Sequence, residues 1–339
     1  MFDDSTTAFV DVTSRFCLVC RSAGATDAAH RNPHVGADGT PNVTATRGIV
    51  MVVLAAVGFG TIGIFGKLAT AAGLNNATLL TVRFAVATAL LAGYLVARDH
   101  TPRPNRRQFA TMAGLGIPYA VLTGAYFWGL VYIPAGLATI TLYTYPVYVY
   151  AVSAALLDES LTPLKGVALV LALSGIVLIV GLDTAGADPA GLALVSIAAI
   201  GYAAYTTGSR LAVGEMNADQ LATGAIATTG VCMLAYGVAA GRLSVPASVE
   251  QWAIIVGLAV VGTVLPILLF VNGLRYVEAS RASVVTTTEP VVTVVLGVVV
   301  LGERLSPGIL VGGALVLVGV LLIQRETPDG RPAAPSGED

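Results

Sequence analysis

Between Ile49 and Ile323 the chain divides into ten apolar runs, near 49–72, 77–97, 109–131, 134–157, 163–181, 189–210, 219–240, 251–274, 280–301 and 307–323. A helix rises about 1.5 Å per residue, so crossing about 30 Å of hydrocarbon takes roughly 20 apolar residues. Each run is about that long. Strands of a membrane barrel alternate polar and apolar positions, and a stretch such as VALVLALSGIVLIVGL (167–182) does not. Backbone groups in lipid must bond within their own segment, so the runs are read as helices.

Composition narrows the class further. Hydrophobic residues make up 55% of the chain and charged residues 11%, where a soluble domain carries about a quarter charged. Mean hydropathy is +0.81. The net charge of −2, from 18 Lys and Arg against 20 Asp and Glu, offers no grip on a polyanion. A water-soluble enzyme and a nucleic-acid binder are excluded. Three cysteines, two of them near the N-terminus, do not build a disulfide scaffold. The expected fold class is an all-α polytopic membrane protein with ten transmembrane helices.

Basic residues set the expected orientation, because Lys and Arg accumulate in cytoplasmic segments. With the N-terminus inside, fourteen of the eighteen fall in inside segments, only Arg242 and Arg304 fall outside, and Lys67 and Arg83 lie within spans. Both termini are therefore expected in the cytoplasm, with the chain crossing the cell membrane many times.

The expected boundaries are a disordered tail at 1–46, five-helix units at 47–182 and 183–323, and a second disordered tail at 324–339. Residues 1–46 lack periodicity and mix Asp, Thr, Ser, Gly and Arg. They are no signal peptide: Asp3 and Asp4 stand where basic residues belong, and FCLVC is too short an apolar region. Cys17-x-x-Cys20 and His30-x-x-x-His34 supply zinc-ligand types. The nine residues between Cys20 and His30 hold no aromatic or leucine to form a finger core, so no metal is expected.

Sliding the chain against itself by 144 residues exposes a repeat. Over 129–179 there are 18 identities in 51 ungapped positions, among them Gly129 with Gly273, Tyr132 with Tyr276, Pro146 with Pro290, Glu159 with Glu303 and Pro163 with Pro307. Chance gives roughly one in ten for such a composition. Each copy holds five spans, an odd number, so the second enters the membrane in the opposite sense. Inverted repeats are a recurrent device of transporters, in which a central site opens to alternate sides.

At this point the sequence resembles a known family. TYPVYVYAVSAALLDESLTPLKG and TEPVVTVVLGVVVLGERLSPGIL look like the signature of the EamA-like family in the drug/metabolite transporter superfamily: Pro in mid-span, then Gly/Asp-Glu-x-Leu-Ser/Thr-Pro, then a Gly-containing helix. The resemblance covers about 49–323. It implies ten helices, inverted repeats and movement of small metabolites without ATP. The first copy departs from the pattern with Asp158 in place of Gly302 and Tyr145 in place of Glu289.

Several residues stand out as candidates. Pro146 and Pro290 interrupt corresponding spans, free backbone carbonyls, and are expected to line the central site. Lys67, Arg83 and Glu289 are ionisable groups inside spans, where a charge costs at least ~2.5–3.5 kcal/mol. Lys67 and Arg83 lie within snorkelling reach of a span end. Glu289 does not, and helical spacing puts Thr286, Glu289 and Thr293 on one face, expected along the substrate path. Desolvation disfavours a charged carboxylate, which makes Glu289 a candidate for exchanging a proton with the gradient. In span 4, a continuous helix puts Tyr143 with Tyr150 and Tyr145 with Tyr148. The Tyr145/Tyr148 face is expected to meet substrate, because Tyr145 aligns with Glu289. Tyr202, Tyr205 and Asn272 are weaker lining candidates.

Other features read structurally. Thr162 and Ser306 cap the helices that Pro163 and Pro307 begin. Gly58-Phe59-Gly60-Thr61-Ile62-Gly63 matches the dinucleotide fingerprint but lies in an apolar span with no preceding strand, so close helix packing explains it better. Gly308 and Gly312 form a packing motif that also suits contact between two copies. No catalytic set or phosphate loop is evident, and neither enzyme nor cofactor is expected. The sequence is read as a secondary transporter exporting small metabolites, amino acids or their derivatives foremost, through alternating access between its halves. The alternative is an exporter of cationic drugs that uses Glu289, and a third reading is a membrane scaffold without transport.

Overall fold

The computed structural model describes residues 43–98, 104–133, 135–157, 162–180, 188–301 and 307–324. The Cys17, Cys20, His30 and His34 set, the rest of 1–42, residues 325–339, Asp158, Glu159, Gly302, Glu303, Arg304 and Ser306 lie outside them, while Val43–Thr46, expected in the first tail, are helical. Helices occupy all ten expected spans. They are α1 (Val43–Gly60 and Ile62–Ala71), α2 (Asn76–Ala97), α3 (Arg106–Tyr132), α4 (Ala135–Leu142 and Tyr145–Leu156) and α5 (Pro163–Val180). The second set is α6 (Pro189–Ala212), α7 (Ala218–Ala239), α8 (Val249–Ala259, a π turn Val260–Val264, and Leu265–Gly273), α9 (Ala279–Thr286 and Glu289–Leu301) and α10 (Pro307–Gln324).

Capping residues define the helix starts. Asn75, Asp188 and Asn217 accept backbone N–H groups at the starts of α2, α6 and α7. Asn105 and Gln108 form a full capping box at α3. Five helical stretches among the described residues, Thr46–Ala71, Asn76–Ala97, Pro189–Ala212, Ala218–Ala239 and Val249–Gly273, are long and apolar enough to cross a membrane. Exposed Val, Leu and Ile cover their outer faces, as in Leu54, Ile197, Val231 and Val238. Lipid is the solvent for which such a surface is suited.

Helix packing carries the mark of inversion. α5 lies along α10 and α2 along α7; α3 packs on α6, and α8 packs on α1. Replacing each helix by its partner five places on leaves this pattern unchanged. The loops agree. Arg107, at the start of α3, bonds Glu215 in the α6–α7 turn, whereas Gln251, at the start of α8, donates to Ala72 O beside the α1–α2 turn. Equivalent helix starts thus meet equivalent turns of the opposite repeat, at opposite ends of the bundle.

The repeats differ by one residue within α8. The caps Asn105 and Gln108 correspond to Ser248 and Gln251 at an offset of 143, while Gly129 and Tyr132 correspond to Gly273 and Tyr276 at 144. The π turn Val260–Val264 sits inside that interval. It is the widened turn that takes up an added residue without ending the helix.

The end carrying most of the Lys and Arg is closed by polar contacts between repeats. Lys165 Nζ lies 2.8 Å from Glu278 Oε2, with Lys165 almost wholly buried. Asn272 Nδ2 donates to Asp219 Oδ1 at 2.6 Å and Tyr94 OH to Asp219 Oδ2 at 3.3 Å, which ties α2, α7 and α8 together. Removing one member of a buried pair strands the other. Lys165→Ala is therefore expected to lower stability by about 1–3 kcal/mol, with much less loss in a Glu278→Ala background. Thermal unfolding of the four proteins in detergent checks this.

Candidate functional site

Three helices break where they approach one another. α4 stops at Leu142 and resumes at Tyr145; α9 stops at Thr286 and resumes at Glu289; α1 turns at Thr61. Pro146 and Pro290, both buried, occupy the second position of the resumed segments. No intrahelical donor is lost there, so the prolines fix where each segment begins. Gly60, at the turn of α1, lies against α9: a Cβ would fall 2.8 Å from Val292 Cβ and 3.0 Å from Glu289 O. Thr293 Oγ1 donates to Gly60 O at 2.8 Å across the same contact.

Glu289 is the first residue of its helical segment and is 8% exposed. A carboxylate at that position faces the positive end of the segment's dipole. Both oxygens are engaged: Tyr143 OH donates to Oε2 and Tyr202 OH to Oε1, each at 3.1 Å. The Tyr145 ring stacks on Tyr202 with centroids 4.0 Å apart and 14° between planes. The Tyr145 hydroxyl is bonded to Thr286 Oγ1 and donates to Ser283 O at 3.2 Å. A single buried cluster therefore joins Tyr143 and Tyr145 of the first repeat to Tyr202, Thr286 and Glu289 of the second.

A second buried charge stands on α2. Arg83, 2% exposed, donates from Nε to Thr263 Oγ1 at 2.8 Å and from Nη2 to Gly262 O at 3.2 Å. Both acceptors belong to the π turn of α8, whose wide winding leaves a carbonyl in need of a donor. The guanidinium lies 5.0 Å from the Phe84 ring centroid. Phe84 meets Tyr119 edge-on at 6.1 Å.

Among the residues singled out from the sequence, the structure brings together Glu289, Thr286, Tyr145, Pro146 and Pro290. Thr293 turns from the cluster toward α1. Tyr148 is 36% exposed and Lys67 is exposed, so both lie apart from it. The pairing of Tyr145 with Tyr148 assumed a continuous helix. The break at Tyr143–Thr144 resets the rotation and turns Tyr143 and Tyr145 inward together. Tyr150 instead donates to Thr162 O at 3.1 Å. Tyr202, ranked low from the sequence, is a direct partner of Glu289; α6 alone gives no signal that separates it from Tyr205. Asn272 is engaged with Asp219 instead.

Comparison with known proteins follows the same lines. A family model described as the EamA-like transporter family matches residues 46–181 and 189–325. An uncharacterized transporter of Archaeoglobus fulgidus is 28% identical over 279 residues, 82% of this chain and 97% of its own length. A "probable terminal-alkyne amino-acid exporter" of Streptantibioticus cattleyicolor is 30% identical over 278 residues, 76% of this chain and 84% of its own. One crystal structure aligns at a TM-score of 0.72 and 19% identity, covering 82% of this chain and 96% of that one. At that identity the likeness is one of fold.

The Arg83 contacts yield a prediction. Lysine holds its donors on a single atom, where the guanidinium reaches two acceptors from Nε and Nη2. Arg83→Lys is expected to cost about 1–3 kcal/mol, the range for leaving a buried acceptor unmatched. A lowered melting temperature in detergent, with ten-helix content retained by circular dichroism, is the measurement.

Proposed function

Because the chain belongs to the EamA-like transporter family, we propose that it exports small metabolites, amino acids or their derivatives, by secondary transport coupled to protons. The observation that carries this reading is the position of Glu289. Its two oxygens take hydrogen bonds from Tyr143 in the first repeat and Tyr202 in the second, so movement between the repeats alters its surroundings. A carboxyl among apolar helices is cheap to bury when neutral and expensive when charged. Proton binding and release at Glu289 then favour different arrangements of the halves. The broken α4 and α9, related by the repeat, meet at this carboxyl, as half-helices do around a transporter's central site.

A substrate with both amine and carboxylate suits the pair of charges available. Glu289 takes the amine, and Arg83, buried in α2, supplies the positive counterpart. The Streptantibioticus relative, named for amino-acid export, supports this class. The bias of fourteen basic residues to one side supports cytoplasmic termini and insertion in the cell membrane. One observation favours a second reading: Tyr143, Tyr145 and Tyr202 surround the carboxylate with aromatic faces and hydroxyls, a setting that also suits an organic cation.

Counterflow in liposomes separates the readings. Labelled amino acids are expected to exchange and cationic dyes are not. Glu289→Gln is expected to keep exchange while losing the dependence of net accumulation on a pH gradient. Unchanged gradient dependence in Glu289→Gln, together with full activity in Glu289→Ala, defeats the coupling role. Dye exchange alone selects the cation reading.

A further inference from the structure

Away from the Glu289 cluster, a cavity of about 480 Å³ opens between α2, α3 and α7 at the end carrying the 240–248 loop. It shares no residue with that cluster. α7 packs on both α2 and α3, which make no comparable contact with each other, so a space remains between them. Small and apolar side chains line it, among them Ala77, Leu80, Ala120, Val121 and Met233. Among the described residues no carboxylate lines it, and Arg242 is the one charged residue in the lining. Its volume falls in the range of about 300–1,000 Å³ typical of small-molecule sites.

The mouth is built rather than incidental. α7 ends in Gly241 at φ 61°, a left-handed conformation that glycine adopts without strain. Arg242 N–H then donates to Gly237 O at 3.2 Å, and Ser244 is fastened to α2. Its N–H donates to Thr78 Oγ1 at 2.9 Å, and its hydroxyl accepts from Asn75 Nδ2 at 3.1 Å. These bonds hold the Arg242 backbone at the cavity rim, and the guanidinium makes no hydrogen bond or ion pair among the described residues. Beside it, Trp128 Nε1 donates to Tyr236 OH at 2.8 Å. Such aromatic pairs settle at headgroup depth, where one side is wet and the other apolar.

We propose that this cavity is a binding site for an anionic membrane phospholipid, with one acyl chain in the cavity and the phosphate at Arg242. The chemistry selects this occupant. A mostly apolar lining, whose Asn75 is tied to Ser244 and whose Trp128 and Tyr236 bond each other, penalises a zwitterionic solute, while a guanidinium at the rim pairs with phosphate through two N–H donors. The surrounding bilayer supplies the ligand, and the proposal stands apart from the transport reading.

Cys232 lines the cavity and is partly buried. With Cys17 and Cys20 replaced by serine it is the sole thiol of the chain, and reports occupancy. In detergent, phosphatidylglycerol is expected to slow alkylation of Cys232 by N-ethylmaleimide roughly fivefold relative to phosphatidylcholine, as one partly exposed charge contact allows. Arg242→Gln, in an exposed loop, removes the difference between the lipids. Val121→Trp fills the cavity, so alkylation is slow in either lipid, and native mass spectrometry finds phosphatidylglycerol retained by the parent protein but not by this variant. Equal rates in the two lipids, or a preference that survives Arg242→Gln, overturns the proposal. Protection by a transported amino acid instead of phosphatidylglycerol overturns it too, and assigns the cavity to the transport path.

Discussion

A backbone carbonyl released inside hydrocarbon has no water to turn to, and that single constraint shapes every irregularity in this bundle. At the breaks in α1, α4 and α9, a threonine hydroxyl adds a second bond to the carbonyl three residues back, which its own N–H also meets. Thr61 donates to Gly58 O, Thr144 to Thr141 O, Thr287 to Val284 O and Thr288 to Val285 O, at 2.6 to 2.9 Å. The π turn is served similarly: Thr263 donates to Leu258 O and Arg83 to Gly262 O. Threonines that look like scattered polar residues in apolar runs are the means by which non-helical backbone persists at depth.

Once the breaks are affordable, they create the conditions for a buried carboxylate. Glu289 starts a helical segment, so backbone N–H groups point toward it, and two tyrosine hydroxyls complete its bonding. The tyrosines come from different repeats because the repeats are inverted and their broken helices meet. In the first repeat, Tyr145 stands where Glu289 stands in the second, and the two face each other through Tyr202. The departure from symmetry thus puts the carboxylate on the hydroxyl of Tyr202 and the Tyr145 ring against its face.

Ten spans, the internal repeat and the interruption of corresponding spans at Pro146 and Pro290 were legible from residue type and spacing alone. They depend on hydrophobicity, which lipid rewards over whole helices, and on residues whose cost in lipid is high. The facing of individual tyrosines was not legible. It depends on where α4 stops, and a proline marks only the neighbourhood of a break, not the rotation after it. The partnership of Arg83 with α8 was hidden for a related reason, since a π turn has no residue code. Its trace is the change of repeat offset from 143 to 144 between Gln251 and Gly273, visible only when capping residues are aligned as well as the apolar core.

The bond between Lys165 and Glu278 has no twin. Moving each residue by the repeat offset lands on Ile309 and Pro134, neither of which can carry a charge. Swapping the shapes of the two halves would therefore trade a salt link for a greasy contact. On the proposed alternating access, the two poses would differ by this one ion pair. Whatever solute drives the exchange would have to make good that difference.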